Sequence, residues 1–64
     1  MTFEKAKELA RQGIKVTHEY FSYNEYLTIT GNVITFEDGV TVFIEEWIKD
    51  KPWTSDGWSI YSKQ

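Results

Sequence analysis

The stretch YLTITGNVITFEDGVTVFI, residues 26–44, decides the fold. It contains three runs rich in β-branched and aromatic residues: Tyr26–Thr30, Val33–Phe36 and Val40–Ile44. Gly31-Asn32 separates the first two and Glu37-Asp38-Gly39 the last two, and both are hairpin-turn signals, so each run pairs back on its predecessor. Leu27 and Ile29 share one face of their strand because strand side chains alternate. The third run, Val40–Ile44, reads as a strand that continues towards Trp47. The outcome is an antiparallel meander.

Upstream, Ile14, Val16, His18 and Tyr20 alternate with Lys15, Thr17, Glu19 and Phe21, which predicts a further strand before the polar turn Ser22–Glu25. The period changes again before Gly13. Phe3, Ala6, Leu9 and Ala10 recur at spacings of three and four among Glu4, Lys5, Lys7, Glu8 and Arg11, the pattern of an amphipathic helix. Thr2 is placed to cap it, Glu4 and Arg11 complement its dipole, and Gly13 ends it. Downstream, Lys49–Asp56 is irregular and carries the single proline, Pro52, and Trp58–Tyr61 reads as a last strand after Asp56-Gly57. The expected architecture is therefore α+β, an N-terminal helix packed on a meander of about four or five strands. Residues 1–64 form one domain, without repeat or linker.

A chain of 64 residues buries little of its own surface and needs dense packing or self-association. It has no cysteine, hence no disulfide framework and no thiolate metal site, and its single histidine, His18, cannot build a zinc centre. Three tryptophans, four tyrosines and four phenylalanines exceed what so small a core requires, which points some rings at an interface or ligand site. A net charge of −3 lacks the basic stripe of a nucleic-acid-backbone binder. No apolar run is long enough to span a membrane, and no secretory leader is evident, so a cytoplasmic location is expected.

Catalytic machinery is not apparent. His18 is the only conventional neutral-pH base, no serine lies in a nucleophile elbow, and the four glycines are scattered rather than grouped into a phosphate loop. The pairs Glu37-Asp38 and Glu45-Glu46 read as solvated charge. The first lies in a turn and the second alternates across a strand, so neither converges. The expectation is a protein without catalytic residues, metal or cofactor.

Binding rests on the aromatic residues. Trp47, Trp53 and Trp58 are interspersed with Lys49, Asp50, Lys51 and Asp56, a mixture that suits a nucleotide: a base stacks on a ring, a carboxylate holds a ribose hydroxyl, a lysine holds a phosphate. Trp58, in a strand with Ile60, is read as core, whereas Trp53, beside Pro52, is as well suited to a ligand as to a core lid. His18 either contacts ligand or packs with Val16 and Tyr20.

The order Phe3-x-x-Ala6, Gly13-x-x-Val16, Phe21, Tyr26-Leu27, Asp38-Gly39, Pro52-Trp53-Thr54 and Trp58 resembles the Thoeris anti-defence proteins of the second class, a family of small phage and prophage proteins. The resemblance covers nearly the whole chain through short elements. It implies a non-catalytic homo-oligomer, a dimer or tetramer, in the cytoplasm of a bacterial host. Such a protein sequesters a nucleotide-derived immune signal, cyclic ADP-ribose-like or a cyclic nucleotide, at subunit interfaces. On that reading the ligand-binding residues are Phe21, Trp53, Trp47, Tyr20, His18, Lys51 and Asp56. Family members follow Gly-x-x-Val with two basic residues and then Glu-Gly-Trp. This chain instead has Thr17, His18, Glu19, Tyr20 and Phe21, with less positive charge and a smaller stacking surface, and the connection from Thr54 to Gly57 is short. The alternative is a small acidic inhibitor of a host defence or nucleic-acid-binding protein, whose positive surface attracts Glu37, Asp38, Glu45, Glu46 and Asp50.

Overall fold

The computed structural model describes residues 1–49, 53 and 56–62. Helix α1 (Phe3–Arg11) begins at Thr2, whose hydroxyl accepts the Lys5 N–H at 3.3 Å, and carries Glu4 in its first turn and Arg11 in its last. Its buried stripe is Phe3, Ala6 and Ala10. Two alanines on that stripe let the helix backbone lie close to the sheet.

The sheet comprises β1 (Val16–His18), β2 (Leu27–Thr30), β3 (Val33–Phe36), β4 (Thr41–Phe43) and β5 (Trp58–Ile60), with a short helix α2 (Ile44–Trp47) after β4. The fold is α+β, as the sequence predicts. Strand order is β4-β3-β2-β1-β5, with every neighbouring pair antiparallel. The first four strands are the expected meander, in which Thr30 faces Val33 across the Gly31-Asn32 turn and Phe36 accepts the Gly39 N–H at the next. The fifth joins the opposite edge, pairing His18 with Trp58 and Val16 with Ile60. The chain must therefore pass from the β4 edge to the β5 edge, and α2 begins that passage.

Two expected strands are shorter than their periodicity suggests. The run from Ile14 to Phe21 is strand only from Val16 to His18, because the His18 imidazole accepts the Tyr20 N–H at Nδ1 (3.1 Å) and the His18 carbonyl accepts the Phe21 N–H (2.9 Å), turning the chain. The run from Val40 towards Trp47 leaves the sheet at Phe43. Ile44 N–H makes a last bond to Asn32 O, and the Ile44 carbonyl then accepts the Ile48 N–H, starting a helical turn. Ile44, Trp47 and Ile48, spaced three and four apart, turn inward together, and this helical burial overrides β-propensity. Glu45 and Glu46 are thus exposed helix residues rather than alternating strand residues, and they still form no converging pair.

One face of the sheet, with α1 and α2 against it, forms a core of Phe3, Ala6, Ala10, Val16, Leu27, Ile29, Ile34, Ile44 and Trp58. The other face alternates with it and is mainly Thr17, Thr28, Thr30, Thr35, Thr41 and Ser59, which explains how a sheet covered on one side only meets water. Met1 borders the β5 edge: its amino group donates to Trp58 O (2.8 Å) and its carbonyl accepts the Trp58 N–H (3.2 Å). Among the described residues no helix is long and apolar enough to cross a membrane.

Candidate ligand groove

The turn after β1, the turn between β3 and β4, and the end of α2 meet at one end of the sheet. Between them lies an open groove of about 430 Å³. One wall is aromatic: Tyr20 and Phe21 from the first turn, Trp47 from α2, and Trp53 from the passage to β5. Phe36 and Val40 complete the apolar lining. The remaining rim is acidic, made by Glu25, Glu37 and Asp38.

The aromatic wall is built from within. Trp47 and Trp53 stack with ring centres 4.9 Å apart and planes 8° from parallel, and Phe21 meets Trp53 edge-on at 5.2 Å. Trp58, buried beneath them, donates its indole N–H to the Trp53 carbonyl at 2.7 Å, which ties Trp53 to the sheet. Trp53 Nε1 is itself buried and finds no hydrogen-bond partner among the described residues. Tyr20 stands at the lip, 67% exposed.

His18 supports this wall without lining the groove. It is 3% exposed and packs edge-on against Trp53 and Trp58, each ring centre 5.0 Å away. Because Nδ1 accepts a backbone N–H, the neutral ring carries its proton on Nε2, a buried donor that meets no acceptor among the described residues. Nε2 faces Gly57 so closely that a Cβ there would lie 2.8 Å from it.

Each rim carboxylate has one oxygen committed to the local backbone. Glu25 Oε1 accepts from Ser22 N–H and Oγ (2.7 and 2.8 Å), Glu37 Oε1 from Tyr26 N–H (3.3 Å), and Asp38 Oδ1 from Val40 N–H (3.0 Å). These bonds fix the two turns. The second oxygen of each has no protein partner among the described residues, and none of the three joins an ion pair there.

Of the residues singled out by sequence, Tyr20, Phe21, Trp47 and Trp53 come together at the groove, and His18 backs them. Trp58 is core, as read, while Ile60 one pleat along is exposed. Asp56 is exposed and lies apart from the groove lining. Lys51 falls outside the described residues. Glu25, Phe36 and Val40 are the additions, and Glu37 and Asp38, expected only as acidic surface of the inhibitor reading, join them at the groove. Their signal was in the hairpin register: pairing Leu27 with Phe36 carries Glu37 and Asp38 to the sheet end where Glu25 and the turn after β1 lie. Chemically the site offers aromatic faces and fixed negative charge, and the described residues hold no cluster of His, Cys, Asp and Glu suited to a metal ion. No family model matches the chain, and no curated protein or solved structure is found to be similar to it.

Proposed function

We propose that this chain is a non-catalytic capture protein that works by holding a ligand in the groove between the Tyr20–Trp53 wall and the Glu25–Asp38 rim. The observation carrying this reading is the preformed wall: a stacked indole pair held by the Trp58–Trp53 hydrogen bond and left open to solvent on one side. Fixed aromatic surface on so small a protein suits binding, because little ordering entropy is lost when a ligand arrives.

The rim favours a positively charged ligand, which supports the acidic-inhibitor reading: the chain occupies a basic surface of a host protein. The stacked indoles support a second reading, sequestration of a nucleotide-derived signal in a bacterial cytoplasm, with the base on the wall and a ribose hydroxyl on a carboxylate. On that reading the phosphates require cations, which the groove lining lacks among the described residues; Lys51, the lysine singled out by sequence, lies outside those residues, and a second subunit would be a further source. The homo-oligomer implied by the resemblance has a suitable surface at the β4 edge, where Phe43 is 58% exposed beside half-buried Val33 and Val42.

Affinity capture from bacterial lysate with wild-type protein and a Trp53→Ala control separates the readings. A stoichiometric host protein retained only by the wild type supports inhibition, and a co-purifying small molecule with nucleobase absorbance supports sequestration. If both baits retain the same material, the groove is not the binding site and the proposal fails.

A further inference from the structure

We infer that the groove accepts the guanidinium of an arginine side chain presented by a protein partner. This rests on the capture reading and adds the chemical identity of what is captured.

Among the described residues the electrostatics are one-sided. Glu25, Glu37 and Asp38 place three carboxylates on one rim, each with an oxygen still available, and no lysine or arginine lines the groove among the described residues. A phosphate entering here meets like charge, whereas a cation meets opposite charge on one side and the negative faces of aromatic rings on the other. Both kinds of surface attract the same ligand.

Shape narrows the cation. A guanidinium is flat and carries five N–H donors spread around its edge, so it can lie against an indole or phenol face while donating sideways to several separated carboxylates. An ammonium is a compact point charge that presents no flat face to the wall. At about 430 Å³ the groove has room for an arginine stem and adjoining backbone as well as the head.

The test is titration of isotope-labelled protein, followed by NMR, with a capped Gly-Arg-Gly peptide, its citrulline counterpart, which is uncharged and nearly isosteric, and adenosine monophosphate. The arginine peptide is expected to shift the Trp47 and Trp53 indole N–H signals and to bind roughly tenfold or more tightly than the citrulline peptide, since charge-assisted hydrogen bonds are the strong ones. A Glu37→Gln/Asp38→Asn variant should lose about tenfold in arginine-peptide affinity on the same basis. Its amide oxygens still accept from Tyr26 and Val40, so the turns are retained. Equal binding of the arginine and citrulline peptides, or unchanged affinity in a folded variant, overturns the inference. If the nucleotide shifts these signals and the arginine peptide does not, capture stands and the arginine assignment falls. If none of the three shifts them, both fall.

Discussion

Gly57→Ala places a methyl group where an ideal Cβ lies 2.8 Å from His18 Nε2 and 3.0 Å from both His18 Cε1 and Glu19 Oε2. The residue also has φ +119°, a region that side-chain-bearing residues rarely occupy. Two costs therefore combine, and Gly13→Ala separates them: Gly13 has φ +89° with nothing within 4 Å of its would-be Cβ, so it reports backbone strain alone. That strain is about 1–2 kcal/mol. At Gly57, crowding against a buried ring adds roughly 1–3 kcal/mol, as in overpacked cores. The ring cannot retreat freely, because His18 is wedged against Trp53 and Trp58 and holds the Tyr20 N–H. For a domain of this size 1 kcal/mol moves Tm by about 4–8 °C. Gly13→Ala should thus melt roughly 5–15 °C below wild type and Gly57→Ala a further 5–20 °C or so lower. Thermal denaturation by far-UV circular dichroism reads the difference, and the near-UV spectrum reports whether the ring cluster has shifted. If the two variants melt within about 3 °C of each other, His18 is not held as described; by the same conversion that gap is under ~1 kcal/mol.

Trp58→Phe keeps most of the buried ring but removes the donor to the Trp53 carbonyl; chemical denaturation should show a loss of about 1–2 kcal/mol, with altered near-UV dichroism as Trp53 loosens. Tyr20→Ala, at an exposed lip, should change stability by less than about 1 kcal/mol while weakening capture of whatever ligand the lysate experiment identifies. An equal loss of folding and binding would place Tyr20 in the core instead. Leu27→Ala, fully buried under α1, should cost about 2–5 kcal/mol and leave little cooperative unfolding transition at room temperature, since a chain this short has a small reserve.

The helix and both hairpins were legible because their signals are local and agree: capping residue, dipole charges and apolar period for α1, and turn chemistry with alternation for β2 to β4. Alternation failed where a side chain or a helical period competed with it. Nothing in the spacing of residues 14–21 announces that His18 captures the Tyr20 N–H, and the β-branched run before Ile44 masks the three-and-four spacing of Ile44, Trp47 and Ile48. The aromatic half of the groove could be named in advance, since Tyr20, Phe21, Trp47 and Trp53 stand out by type and number. Of its acidic half, Glu37 and Asp38 could be named only as part of a general acidic surface and Glu25 not at all, because all three look like ordinary turn residues until the register sets them opposite the rings. Charge on that rim is also what moves the preferred ligand from an anion to a cation.

The pairing of β1 with β5, and of Met1 with Trp58, 57 positions away, governs how the molecule can assemble in time. The β2–β3 hairpin closes over two residues and can form within microseconds, but β1 has no partner on its outer side until residues 58–60 arrive. A nascent chain that stops short of Trp58 therefore presents an unpaired strand edge at β1, lacks the buried indole beneath the groove, and is the species most exposed to wrong pairing. Folding should be slow relative to a helical protein of equal length, and truncation between α2 and β5 should yield aggregate rather than a smaller working domain.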